Sequence, residues 1–272
     1  MMVEMMAAYQ CYGSFKLLNT FTEQLVSKLL NNDFYIVIQA RMTSSRLPKK
    51  VMLPLGTKPV LEVMLERLAP FKEKIIIATT DDGTQRPITE LCERLGVKYV
   101  EGDTNNVLSR YYLAAQSVNA NSDTVIVRCT SDCPLIDLTE TARVIDHFYS
   151  VRSEYDYISA GPHCGFPNGF DTEVFTFEAL KSAFECATED FEKEHMTQYI
   201  CRNMKVADYK NVDDFSHWRL TLDEPADYEL IKAIYSLFDY RTDFTFDELK
   251  QMLSSHPDIL KINEHVEQVQ VG

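Results

Sequence analysis

The sequence predicts an α/β fold, a three-layer sandwich in which helices cover both faces of a mainly parallel sheet. Three observations carry this. From Phe34 onward, short apolar, strand-like runs alternate with longer stretches whose apolar side chains recur at helical spacing. Several of those helical stretches end at or shortly before Gly or Pro, the residues that stop a helix. With 272 residues, 45% hydrophobic and 25% charged, the chain has ordinary globular composition and enough length to bury a substantial core.

In chain order, strands are expected at FYIVIQ (34–39), KIIIATT (74–80), VKYV (97–100), DTVIVRC (123–129) and HWRLTL (217–222). The helical patterns between them are PVLEVMLERLAPF, TQRPITELCERLG, NNVLSRYYLAAQSV and LTETARVIDHFYSV. Ahead of the first strand, Leu18, Phe21, Leu25, Val26 and Leu29 fall at helical spacing, so residues 1–33 read as an N-terminal helical extension to a main domain of 34–272. Loops such as AGPHCGFPNGFDTE break the alternation between about 150 and 220 and read as an insertion that shapes a second substrate pocket. In folds of this class ligands gather beyond the carboxyl ends of the strands.

Lys and Arg total 27 against 41 Asp and Glu, a formal charge of −14, and such a surface repels nucleic acid and anionic lipid over most of its area. A phosphate-bearing ligand must then be small and held locally. No stretch approaches the roughly 18 apolar residues of a membrane span, and Glu4 stands where a signal peptide would carry basic charge. Seven cysteines, an odd number with no C-x-x-C pair, suggest neither a disulfide framework nor a zinc ribbon, and a cytoplasmic setting is expected.

Against that acidic background QARMTSSRLPKK (39–50) gathers Arg41, Arg46, Lys49 and Lys50 with Ser44 and Ser45 at the end of the first strand. The loop suits a diphosphate or triphosphate chemically, although neither a P-loop nor a G-x-G-x-x-G is present. A solvated basic loop is the competing reading. In VIVRCTSDCPLID, Asp132 lies a few residues past a strand, where a carboxylate can hold Mg²⁺ or simply cap a turn. In RLTLDEPADYEL, Asp223 precedes a Pro-initiated helix and on its own reads as an N-cap. Two strand-end aspartates and a basic strand-end loop on one sheet edge together describe a magnesium nucleotide site.

The stretch IVIQARMTSSRLPKKVMLPLGTKPVLEVMLERL resembles the N-terminal signature of the acylneuraminate cytidylyltransferase-like family, in particular its spore-coat polysaccharide biosynthesis branch. The likeness continues through EGDTNNVLSRYYLAA, RCTSDCPLID, FPNGFDTEVFTFEALKSAF, EKEHMTQYICRN and RLTLDEPADYELI, and covers about 34–268. It implies the nucleotide-diphospho-sugar transferase fold, a nucleotidyltransferase domain over 34–272 with a sugar-binding insertion around 150–215, and transfer of CMP from CTP to an acidic keto-sugar with release of pyrophosphate. It also implies Mg²⁺ as cofactor, no nucleic-acid or membrane partner, and a homodimer. By the same likeness Arg41, Ser44, Arg46 and Lys50 match the triphosphate loop, with Arg41, Lys50 and Asp132 catalytic. Asp132 and Asp223 match the metal carboxylates, and Gly102 and Asp103 lie where the fold approaches the nucleotide. Thr43 and Lys49 replace the usual glycines of the pattern, a departure that predicts a backbone held farther from the phosphates.

Asp171, Glu173, Glu194 and His195 are the candidate acceptor contacts, His195 having the competing reading of a packed, hydrogen-bonded ring. Two neighbouring aspartates repel each other, so the site is expected to be strained until metal arrives. The alternatives are a nucleotidyltransferase that uses another NTP and a sugar phosphate, and a non-catalytic sugar-nucleotide binding protein.

Overall fold

The computed structural model describes residues 20–267. Of the expected N-terminal extension, positions up to 19, Leu18 included, lie outside the described residues. The remainder forms α1 (Thr20–Leu30), whose Leu25, Val26 and Leu29 enter the same core cluster as the first strand. Thr22 bonds Thr139 at 2.9 Å, so the helix is fixed by polar as well as apolar contact.

The first half alternates as expected. β1 (Phe34–Gln39) is followed by a short hairpin of β2 (Pro54–Leu55) and β3 (Lys58–Pro59), then α2 (Val60–Arg67), β4 (Ile75–Thr80), α3 (Arg86–Leu95), β5 (Lys98–Gly102), α4 (Val107–Ser117), β6 (Val125–Thr130) and α5 (Leu138–Val151). The second half adds β7 (Tyr157–Ala160), β8 (Thr172–Thr176), α6 (Phe177–Cys186), α7 (Asp190–Glu194), α8 (Gln198–Asn203), β9 (Val206–Asp208), α9 (Pro225–Leu237) and α10 (Phe246–Ser255).

Seven strands form one sheet in the order β5-β4-β1-β6-β8-β7-β9. Only β8 is antiparallel to its neighbours, against β6 and β7. Side chains alternate across the sheet, with Phe34, Ile36 and Ile38 in one core and Val37 in the other, each core covered by helices. That is the expected three-layer sandwich. The segment between 150 and 215, read from sequence as loops outside the alternation, supplies β7, β8 and β9 to the same sheet.

The strand expected at 217–222 does not form. Arg219 makes a single bridge to Asn168, and Leu222 N–H donates instead to the Asp132 carbonyl at 2.8 Å. The segment is extended because it threads between two loops, with no strand beside it to pair along its length. Among the described residues no helix is long and apolar enough to cross a membrane.

Candidate active site

β1 and β6 run in register from Phe34↔Val125 to Gln39↔Thr130, so the loops that follow them leave the sheet side by side. The β1 loop is anchored from beneath by buried Met42 and Val51. Its backbone closes on itself through Lys49 N–H donating to the Met42 carbonyl at 2.9 Å, and Leu47 N–H donates to Ser44 Oγ at 3.4 Å. Apolar residues hold the loop while its polar ones remain at the surface. Lys49, which replaces the usual glycine, sits at φ 60°, in the left-handed region that disfavours a side chain.

After β6, Ser131 N–H donates to the Gln39 carbonyl at 3.2 Å and brings Asp132 over the β1 loop. The Asp132 carbonyl accepts from Leu222 N–H and, at 3.3 Å, from the Thr221 hydroxyl. This draws Asp223, far along the chain, to the same place. The N-cap of α9 is Glu224, not Asp223, and Asp227 accepts from the backbone N–H groups of both Asp223 and Glu224 at 3.0 and 2.9 Å. The Asp223 side chain is thereby released from capping the helix.

Both freed carboxylates meet Lys50. Its ammonium lies 2.9 Å from Asp132 Oδ2 and 2.7 Å from Asp223 Oδ1, with Arg46 a further 3.4 Å from Asp223 Oδ2. Burial alone would raise the Asp132 carboxyl, but the Lys50 charge and hydrogen bonds from Thr130 and Lys50 more than offset it and hold the group well below the usual carboxylate range. Burial likewise depresses Lys50, and the two carboxylates outweigh it, so its pKa ends above the ordinary value. The expected strain between the aspartates is relieved by this lysine. Lys50 is therefore engaged with carboxylates as well as being available to a phosphate.

A cleft of 230 Å³ opens over this triad, lined among others by Arg41, Ser44, Arg46, Lys50, Arg110, Arg128, Asp132, Glu194, His195 and Asp223. Five of these side chains are cationic and three carboxylate, in a protein whose overall charge is −14. Phosphate groups are thus favoured here and disfavoured elsewhere. Two hard oxygen ligands converging on one cationic point also fit a divalent cation of the Mg²⁺ type.

A family model described as cytidylyltransferase matches residues 35–265. The chain belongs to the cytidylyltransferase family. It is 34% identical over 242 residues to an uncharacterized protein of Methanocaldococcus jannaschii, an alignment spanning 85% of this chain and 95% of that one. It is 32% identical over 239 residues to the spore coat polysaccharide biosynthesis protein SpsF of Bacillus subtilis, spanning 84% and 96%. A solved cytidylyltransferase of Leptospira borgpetersenii serovar Hardjo-bovis superposes with a TM-score of 0.80 at 32% identity, covering 88% of this chain and 99% of that one.

Within this cytidylyltransferase fold the remaining candidates fall into two groups. Glu194 and His195, at the end of α7, line the cleft together with the β1 loop, the His195 ring packing on Phe191 with centroids 4.7 Å apart. Glu173 reaches the cleft through Arg128, which it pairs at 2.7 Å. Asp171 lies behind them, accepting from Gly169 N–H at 2.9 Å, and burial pushes its carboxyl up to about 6. Gly102 and Asp103, expected at the nucleotide, do not line the cleft. Asp103 turns its carboxylate to the N–H groups of Asn105 and Asn106, both at 2.7 Å, while the Asp103 carbonyl accepts from Arg110 at 2.5 Å. Their visible task is to brace Arg110.

Sequence reasoning passed over Arg110, Arg128, Arg219 and Asp227. Asp227 is fully buried and is gripped by Arg219 at 2.9 and 2.8 Å and by Asn263 at 2.8 Å. The sequence signal for Asp227 was present: an acid three residues after Glu224 and two after a proline is a helix-start pattern, which fixes the backbone that carries Asp223.

Proposed function

We propose that this cytidylyltransferase-family protein transfers CMP from CTP to a hydroxyl of an acidic keto-sugar and releases pyrophosphate, with Mg²⁺ as cofactor, for polysaccharide or glycan synthesis. The observation that carries the reading is the Lys50 ammonium held between the Asp132 and Asp223 carboxylates beneath a cationic cleft. In this reading Arg41, Ser44 and Arg46 grip the triphosphate. Lys50 stabilises the charge that grows on the departing pyrophosphate. Asp132 and Asp223 would hold the metal, which would neutralise phosphate oxygens and make the α-phosphorus more electrophilic.

The acceptor oxygen bonds to the α-phosphorus as the α-phosphorus bond to the α–β bridging oxygen breaks, pyrophosphate leaves with that oxygen, and the hydroxyl proton passes to solvent. A phosphoryl transfer of this kind depends chiefly on positioning and on cations, so no strong base is required. Glu194 and His195 would orient the sugar from the opposite wall, supported by Glu173 and Asp171.

A second reading, a neutral or amino-bearing sugar as acceptor, draws on charge. The acceptor side offers Asp171, Glu173 and Glu194 against Arg128 and His195, an arrangement that favours hydroxyls or an amine over a carboxylate.

The test is pyrophosphate release measured with CTP, UTP, GTP and ATP, with and without Mg²⁺, against acidic, neutral and amino keto-sugars. CTP and Mg²⁺ should be required. Asp132→Asn should lower turnover by about two orders of magnitude or more, the usual cost of losing a group that stabilises transition-state charge. Near-normal turnover in that variant would remove Asp132 from the mechanism, and a preference for another nucleotide would overturn the assignment of CTP.

A further inference from the structure

A second group of ligating side chains lies at the β7–β9 end of the sheet, three strands along from β1. His163, Cys164 and Asp208 each offer one donor atom, and these three atoms lie within 4.8 Å of one another. Among the described residues no other group of three His, Cys, Asp or Glu side chains meets that condition. We propose that His163, Cys164 and Asp208 form a binding site for a borderline-soft divalent cation of the zinc class, separate from the oxygen-lined site at Asp132 and Asp223.

The backbone builds this site in advance. Asp208 of β9 is the direct register partner of Ser159 of β7, in the parallel pair that ends the sheet. Just beyond β7 the chain turns through Pro162–Cys164, closed by Cys164 N–H donating to the Gly161 carbonyl at 2.9 Å. That turn carries His163 and Cys164 back over the β7–β9 pair. The strand that holds Asp208 is then tied down beyond it, by Tyr209 N–H to the Ser159 carbonyl and Asn211 N–H to the Cys164 carbonyl, both at 2.8 Å. Little ordering is left for a metal to impose, which favours binding.

The nitrogen–oxygen spacing also suits zinc. Tetrahedral bonds of about 2.0–2.1 Å to nitrogen and oxygen place those donors roughly 3.4 Å apart, and His163 Nε2 is 3.5 Å from Asp208 Oδ1. Imidazole, thiolate and carboxylate together match zinc and its neighbours rather than Mg²⁺, which prefers all-oxygen shells. Cys164 is buried while His163 and Asp208 reach solvent, so the thiol is shielded and an ion still has a way in. Ser159 Oγ, 2.9 Å from His163 Nε2, is a further polar neighbour. Three protein donors leave the fourth position to water, as in exchangeable sites rather than closed structural ones.

The experiment uses the full chain, reduced and stripped of metal. Zn²⁺ is titrated in competition with a chromophoric chelator, and Co²⁺ is added separately to read the spectrum. One equivalent of zinc should be withheld from the chelator, and Co²⁺ should give a thiolate-to-metal charge-transfer band with the strong visible bands of tetrahedral coordination. Cys164→Ser should abolish the band. His163→Ala and the solvent-exposed Asp208→Asn, chosen because it leaves the core untouched, should each weaken zinc binding at least tenfold. Asp132→Asn should leave both readouts as they are. Failure to retain an equivalent of zinc overturns the proposal, and so does a Cys164→Ser protein that keeps the metal and the band.

Discussion

The two walls of the cleft solve opposite electrostatic problems. On the wall we assign to the nucleotide the carboxylates are answered within the chain: Lys50 bridges Asp132 and Asp223, Arg46 backs Asp223, and Arg219 grips Asp227. On the acceptor wall the accounts are left open. Glu173 Oε2 and Arg128 Nε are buried without a hydrogen-bond partner in the chain, and burial raises the Asp171 carboxyl to about 6. The first wall is stable without ligand and must exchange one cation for another. The second presents buried donors and acceptors with no partner in the chain, the kind of groups that substrate hydroxyls can meet.

The sharpest way to break this comparison is to remove the internal cation. Lys50→Met leaves Asp132 facing Asp223 with no ammonium between them, and removing one partner of a partly buried charge cluster costs about 2–3 kcal/mol after allowance for solvent at the rim. We expect the melting temperature in chelator to fall by several degrees and Mg²⁺ to restore more of it than in the parent protein, since binding to the folded state alone raises stability. Equal melting temperatures in chelator would mean that Lys50 does not neutralise that wall.

Next in size is Asp171→Asn, which probes the other wall. The folded protein holds the Asp171 proton up to about pH 6, whereas the unfolded chain releases it near 3.8, because burial disfavours the charge. Folding therefore takes up a proton between those values. The stability linked to this group is complete below about pH 4 and lost as pH rises through 6. Asparagine keeps an oxygen for Gly169 N–H and carries no charge, so the variant should melt higher than the parent at pH 8, by an amount on the order of 2 kcal/mol. That advantage should vanish towards pH 4. A variant less stable at pH 8 would show that the acceptor wall has an internal partner for this carboxylate.

The comparison also explains what could be read from the sequence. The strands of the first half were legible because β-branched runs such as FYIVIQ and IIIATT leave little choice, and placing Asp132 at the sheet edge followed from strand position, whereas Asp223 reaches the same place without the strand expected before it. The position of Lys50 between them was not legible. It depends on Leu222 N–H and Thr221 bonding to the Asp132 carbonyl, contacts between segments some ninety residues apart that no local pattern encodes. The three strands of the second half were hidden for a different reason. They are three to five residues long, and Gly161, Gly165, Pro167 and Gly169 crowd the connection between β7 and β8, so turn signals outweigh any strand period there. The expected strand at 217–222 failed because an apolar, strand-like composition cannot supply a partner strand.

The smallest effect concerns how the nucleotide wall is held open to a ligand. Lys49 sits at φ 60° with its N–H donating to the Met42 carbonyl, and its side chain is exposed. A side chain in that conformation costs about 1–2 kcal/mol, part of which glycine gives back through its freedom in the unfolded chain. Lys49→Gly should therefore stabilise the protein by about 0.5–1 kcal/mol, read as a rise of a few degrees or less in the melting temperature. The loop already adopts the glycine conformation with lysine present, so its path should not depend on the substitution. If the loop holds its shape for that reason, CTP affinity in Lys49→Gly should change only by the loss of one exposed charge, an effect that disappears as salt is raised. A gain in affinity that survives high salt would instead mean that the Lys49 side chain keeps phosphates away from the backbone, and the nucleotide wall would then be less ready for its ligand than its internal pairing implies.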